Sequence, residues 1–390
     1  MTVFHLITAE YPPQRGGVAD YTAVVAAGLV AAGCAVHVWA PGDDPRPAVG
    51  PDGVTVHRAA GRFGPAGLAR LGRELNRFPR PRTLVVQYVP HGFGWKGMNV
   101  AFAAWVYARR AVSRDDVRVM FHEVVYPWVR RPLRHNVIAA VTRATAALLG
   151  RACTRAYVSI PAWAAVLRSV GGARVPTTWL PVPATVPSDP PADLVARART
   201  DAPTVGHFGT YGPLITPLLG PALGAILDRR PDVRVVLVGA NGDRWRAEFL
   251  RDRPAWGDRV TATGERPAAE LAAWLRACDV VVQPYPDGAS SRRTTFTAAL
   301  ANAVPVVTNV GHLTDPLAAA APVAFAPADR LADAALDLLA APDRRRELAT
   351  AGRRYYEEHF TADRTVAALL ADSPRSPRVG TSGCPPSGGC

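Results

Sequence analysis

Short apolar runs with no polar face alternate along this chain with stretches in which apolar positions recur every three or four residues. Val3–Thr8, Val36–Trp39, Val54–Val56, Leu84–Val89, Val117–Phe121, Tyr157–Ile160 and Thr178–Leu180 read as buried strands. Between them, Val18–Ala32, Ala66–Asn76, Asn99–Val112 and Leu133–Leu149 read as helices. Strands buried on both faces and separated by helices predict a parallel sheet covered on both sides. Six prolines between Pro181 and Pro203 interrupt the series as a linker. A second series then begins, with strands at Thr204–Phe208, Val233–Val238, Val260–Thr263, Val280–Gln283, Pro305–Thr308 and Val323–Phe325. The stretch from Asp343 to Leu370 predicts a charged helix packing back across the junction, and the Ser/Pro/Gly-rich residues 372–390 predict a disordered tail. The fold class is α/β: two doubly wound domains facing a central cleft. Residues 1–185 form the first and 204–352 the second, with 186–203 as linker and 353–371 as the returning helix. Ligands of such sheets sit outside the carboxyl ends of the strands, which here face the cleft.

Charge adds a preference for anions. The 390 residues carry 45 basic against 32 acidic side chains, a net +13, and Lys96 is the single lysine. A positive surplus of this size favours anionic ligands. It does not indicate nucleic acid, because no zinc-finger spacing, recognition helix or aromatic-interleaved basic strand accompanies it. Cysteines 34, 153, 278, 384 and 390 lack metal-ligand or redox spacing, which fits a reducing compartment. With no signal-like start and no apolar run of spanning length, the sequence predicts a cytoplasmic protein.

Two stretches carry chemistry. Gln283-Pro284-Tyr285-Pro286-Asp287-Gly288-Ala289-Ser290-Ser291-Arg292-Arg293-Thr294-Thr295 joins a buried strand to the helix that begins near Phe296. A cap from Thr294 or Thr295, free amides behind it and two adjacent guanidiniums suit a phosphate or diphosphate. A capped surface helix with two solvated arginines is the plainer alternative. The first strand ends in Tyr11-Pro12-Pro13-Gln14-Arg15-Gly16-Gly17-Val18-Ala19-Asp20-Tyr21, where a glycine pair before a helix admits a ligand to the backbone.

That opening resembles the retaining glycosyltransferases of family 4, which have the GT-B fold of two Rossmann-like domains. The run from Gly264 through Glu270–Arg276 and Cys278-Asp279 to Pro284 is similar to the family's, as is Ala299–Val307 after its active-site helix. The resemblance spans roughly residues 3–371. It implies a nucleotide-diphosphate sugar as co-substrate, with no cofactor and no metal; no Asp-x-Asp pair is present. It places Gly16, Gly17, Gly209, Thr210, Gly264, Asp287, Gly288, Ser290, Ser291, Thr294 and Thr295 around the donor. It also gives His122 a catalytic contact to the donor sugar, with a buried, hydrogen-bonded histidine as the alternative. The acceptor side takes Tyr11, Asp20, Gln87, Tyr88, His91 and Glu123, with a rim of structural aromatics as the equal alternative for the loop of residues 87–97.

Several positions depart from the family. Its two glutamates would stand at Ser290 and Ala298, and its Arg/Lys diphosphate clamp at Thr210 and Ile215. The expected substitute is the Arg292–Arg293 pair, in a Ser-x-Arg-Arg pattern that resembles a bacterial subgroup. A small soluble hydroxylated acceptor, of secondary-metabolite type, is favoured over membrane contact through Trp128 and Arg130-Arg131-Pro132-Leu133-Arg134. Two rivals stay open: a catalytically degenerate GT-B partner subunit, and a sugar-nucleotide epimerase.

Overall fold

The structure is a computed structural model that describes residues 2–94, 97–171 and 175–372. Trp95, Lys96 and all but the first residue of the expected tail lie outside those residues. The first domain holds eight strands: β1 (Val3–Thr8), β2 (Ala35–Trp39), β3 (Gly42–Val49), β4 (Thr55–Gly61), β5 (Thr83–Tyr88), β6 (Asp116–Phe121), β7 (Arg155–Val158) and β8 (Thr177–Trp179). They pair in the order β3-β4-β2-β1-β5-β6-β7-β8. All pairs are parallel except β3 with β4. Edge strand β3 was not predicted. Its sequence, Gly-Asp-Asp-Pro-Arg-Pro-Ala-Val, has neither alternation nor an apolar run, and prolines are tolerated in strands mainly at an edge.

Helices α1 (Gly17–Ala31), α2 (Pro65–Leu75), α3 (Val100–Ala111), α4 (Arg134–Ala152) and α5 (Pro161–Ser169) follow their strands in turn. Apolar residues of α2, α3, α4 and α5 build one core layer, with Leu71, Phe102, Leu149 and Leu167 fully buried. The opposite face is covered by α1. Beneath the first layer, Asp115 is wholly buried between Arg82 (Nε 2.7 Å) and Arg109 (Nε 2.6 Å). Across the neighbouring strands β1, β2 and β4, His5, His37 and His57 stack among Trp39 and Phe78.

The predicted linker contains a short helix, α6 (Ala192–Ala198). The second sheet has strands β9 (Thr204–Phe208), β10 (Arg234–Val238), β11 (Val260–Gly264), β12 (Val280–Gln283), β13 (Val306–Thr308) and β14 (Ala324–Phe325). They are all parallel, in the order β11-β10-β9-β12-β13-β14. Its helices are α7 (Thr216–Arg229), α8 (Gly242–Phe249), α9 (Ala268–Arg276), α10 (Thr294–Ala301), α11 (Pro316–Ala320), α12 (Leu331–Ala340) and α13 (Pro342–His359). A last helix, α14 (Ala362–Ala371), leaves this domain and lies beside α1, burying Val366 and Leu369 in the first domain's core. Residue 353, where the returning segment was expected to start, is inside α13; the chain bends at Phe360–Thr361 instead. Arg118 fixes the return by donating to the Leu369 carbonyl at 2.6 Å, and Tyr157 donates to Asp372 at 2.8 Å. Among the described residues no helix is long and apolar enough to cross a membrane.

Candidate active site

The carboxyl ends of the central strands of both sheets open onto one cleft, which holds a cavity of about 500 Å³. Gly16, Gly17 and Asp20 wall it on the first-domain side. Gly209, Thr210, Arg292, Arg293, Thr294 and Thr295 wall it on the second. A separate hollow of about 570 Å³ lies against α14, lined by Trp179, Leu317, His359 and Arg364. It opens at the end of edge strand β8 and contains none of the residues expected at the site.

The loop between β12 and α10 is held in shape by the segment after β13. Tyr285 N donates to Asn309 Oδ1 and Asn309 Nδ2 to the Tyr285 carbonyl, both at 2.8 Å. Gly288, at φ +88°, comes so close to Gly311 that a Cβ would stand 2.2 Å from its nitrogen. Gly288 therefore serves the turn and lies off the cavity wall. The loop directs both arginines inward, leaving their side chains 11% and 25% exposed. Arg292 pairs with Asp287 and, across the cleft, with Glu123 through Nη1 at 2.6 Å. Arg293 pairs with the other Asp287 oxygen and sits 5.0 Å over the Tyr285 ring. The Nε of each is buried and unpartnered. Burial works to raise the Asp287 carboxyl, but Arg293 and Arg292 outweigh it and hold the group below the usual carboxylate range.

Three expectations are corrected here. Neither threonine caps α10: Arg293 is at the N-cap with no side-chain cap bond, and the Thr295 hydroxyl bonds the Tyr285 hydroxyl at 2.8 Å. Ser290 and Ser291 are wholly buried and off the wall. Ser291 instead ties the domains together, its Oγ donating to the Ser159 carbonyl at 3.0 Å and accepting from Trp179 Nε1 at 3.2 Å. The amides at the start of α1 are also already used. Glu10 Oε1 accepts from Val18 N and Ala19 N at 3.1 Å each. A Cβ on Gly16 would meet that carboxylate at 2.1 Å, so Gly16 makes room for Glu10.

The remaining candidates divide by depth. His122 is buried at the end of β6, its Nε2 2.9 Å from Gln87 Oε1 and its ring against Tyr21. Burial pushes its pKa down to about 3, so the imidazole is neutral. Gln87, Tyr88 and Tyr11 are likewise buried, whereas His91 is exposed. The Asp20 carboxyl is raised by burial and by nearby Glu10. Gly264 is at φ +60° with Asp243 beside it, a structural turn behind the wall.

Sequence reasoning passed over other groups on the wall. His207, at the end of β9, lines the cavity, and its Nδ1 donates to the Val282 carbonyl at 2.8 Å. Burial lowers its pKa to about 4, so it is neutral and its Nε2 is left as an acceptor. Its strand had been recognised, and a polar residue near a strand's carboxyl end was the available signal. Arg15 forms an ion pair with Glu265 across the cleft, and Arg266 stands beside it on the wall.

Residues 221–371 match the family described as glycosyl transferase-like. No curated protein sequence matches the chain. Among solved structures, sucrose-phosphate synthase from Thermosynechococcus elongatus superposes with a TM-score of 0.73 at 19% identity, over 95% of this chain and 98% of that one. HepE from Anabaena, in complex with UDP and glucose, gives 0.69 at 14% identity, over 95% and 100%. WaaG, a glycosyltransferase involved in lipopolysaccharide biosynthesis, gives 0.64 at 16%, over 96% and 100%. Two facing Rossmann-like domains, a cleft at their strand ends and a last helix returning to the first domain give this chain the GT-B fold of those structures.

Proposed function

We propose that the protein is a retaining, metal-independent glycosyltransferase of the family 4 type, moving a sugar from a nucleoside-diphosphate donor to an acceptor hydroxyl. The observation that carries this reading is the cavity between the sheets, with Arg292 and Arg293 turned into it beside an uncapped helix start. Guanidiniums turned into the cavity, together with helix amides, provide charge-assisted donors for a diphosphate. The bond from the sugar's anomeric carbon to the diphosphate oxygen breaks as these groups stabilise the departing charge. The acceptor oxygen forms its bond on the same face, and its proton passes to the leaving phosphate oxygen. His122, neutral and oriented by Gln87, has the character of a sugar-hydroxyl partner rather than a proton donor. His207 Nε2 offers a second acceptor from the opposite wall.

A specific observation favours the rival reading of a partner subunit. Ser290 and Ala298, where related enzymes carry glutamates, are fully buried, so no side chain there reaches the donor. Melting the protein with a panel of nucleoside diphosphates separates the readings, since binding to the folded state raises the midpoint by mass action. UDP goes first, because the HepE structures hold it. A midpoint raised by one diphosphate, followed by transfer with retained anomeric configuration that Arg292→Ala abolishes, is the expected result. A flat panel overturns the proposal.

A further inference from the structure

We infer that the outer face of α3 and α4, with the loop before α4, docks on an anionic membrane surface. This surface stands apart from the donor site. The two helices follow neighbouring strands, pack together and share one core layer, so their solvent sides form one surface. Among the described residues nine large hydrophobic side chains are exposed, and six of them are here. They are Val100, Tyr107, Val112 (78% exposed), Trp128 (56%), Leu133 (70%) and Val137 (59%). Apolar exposure concentrated in this way marks an interaction site.

The loop that carries Trp128 is built rather than loose. Asn136 both accepts from Val129 N and donates to its carbonyl, each at 2.9 Å, and Arg143 Nη1 donates to the Tyr126 carbonyl at 2.8 Å. The Arg143 guanidinium lies 4.4 Å over the Trp128 ring. The indole is thus held outward, although burying it inward would be the cheaper choice in water.

Charge identifies the partner. Between residues 97 and 153 the acids are Asp115, Asp116 and Glu123. Each is already paired: Asp115 with Arg82 and Arg109, Asp116 with Arg118, Glu123 with Arg292. Arg130, Arg131 and Arg134 are exposed and form no ion pair among the described residues. An apolar face edged by unpaired arginines, with a tryptophan at its rim, suits the headgroup region of an anionic bilayer. Trp128 follows Glu123 of the cleft by five positions, a reach of at most about 18 Å. Docking therefore brings the cleft mouth toward the lipid, and an acceptor held at that interface replaces the soluble one favoured by sequence.

The test is flotation of the full chain with vesicles of phosphatidylcholine alone or mixed equally with phosphatidylglycerol, at low and high salt. Binding to the mixed vesicles that weakens with salt is expected. The wild-type comparison needs no variant. Arg130→Ser/Arg131→Ser/Arg134→Ser should lower partitioning about a hundredfold, three cations near such a surface counting about tenfold or less each. Trp128→Ser/Leu133→Ser/Val137→Ser should abolish what remains. In both variants the nucleoside-diphosphate midpoint shift should match wild type, so a failed donor site cannot be mistaken for a failed membrane surface. No flotation of wild type, or equal flotation on both vesicles at all salts, overturns the inference. So does a wild-type dimer, without vesicles, that the apolar variant dissociates; the face would then belong to a second copy.

Discussion

The cross-cleft pair between Arg292 and Glu123 yields the sharpest prediction, because the two partners should shift diphosphate affinity in opposite directions. Arg292 Nη1 is 2.6 Å from Glu123 Oε1. A donor phosphate that takes this edge of the guanidinium must displace the carboxylate. Two unit charges about 4 Å apart at an effective dielectric of about 20 interact by roughly 4 kcal/mol. Glu123 is 40% exposed, so solvent screening brings the net value to about 1 kcal/mol. Glu123→Gln removes that competition and should tighten nucleoside-diphosphate binding about fivefold. Arg292→Ala should weaken it about tenfold to a hundredfold, the range for one lost hydrogen bond to a charged group. Calorimetric titration with the diphosphate that binds best reads both. Glu123→Gln weakening binding as much as Arg292→Ala would refute the competition, leaving the pair as a unit that only positions the loop. An unchanged affinity in Arg292→Ala would remove the arginine from the site altogether.

Acid should destabilise the protein in a defined window. His5 and His122 are held near 3 and His207 near 4 by burial, against 6.5 when unfolded. These depressed values contribute stability that is complete above about pH 6.5 and is lost as pH falls, down to about 4 for His207 and about 3 for His5 and His122. At pH 5.5 each costs about 1.4 kcal/mol, or about 4 kcal/mol for the three; a denaturant midpoint flat from pH 7 to 5 would contradict this. Asp115→Asn should cost about 3–5 kcal/mol, since it strands two buried guanidiniums, and chemical denaturation reads the loss. Glu10→Ala should cost about 1 kcal/mol by uncapping α1. If phosphates bind at α10 alone, it should leave diphosphate affinity unchanged; tighter binding would place a phosphate at α1.

Strands were legible in this sequence wherever burial on both faces wrote a continuous apolar run, as at Val235–Val238 and Val280–Val282. Edge strand β3 was illegible because an edge needs no such run. At the site, the arginine pair was visible from its place before a helix, and Asp287 from its place in the turn. That Asp287 pairs with both arginines depends on the loop's fold. Ser291 misled for a related reason. Its partners Trp179 and Ser159 are 112 and 132 positions away, and a small hydroxyl at a domain junction has no local signature. Gly16 was read as an opening for a ligand, while its space is occupied by the side chain of Glu10, six residues earlier.

Among the helix starts at the cleft, those of α1 and α10 differ in what they hold. At α1 the chain supplies its own carboxylate, so the positive end of that helix is satisfied without a ligand. At α10 no side chain bonds the first amides, and the nearest charges are Arg292 and Arg293, shared with Asp287 and Glu123. Counting charge, the four groups sum to zero. A diphosphate arriving there would therefore gain little from net field and more from the helix start and the guanidinium edge freed by whatever carboxylate it displaces. Pairing with Asp287 and Glu123 leaves this part of the cleft neutral and holds both arginines in place. Under the proposed function, donor affinity would then depend on Glu123, a residue of the opposite domain, because the Arg292 edge it occupies is the one a phosphate would take.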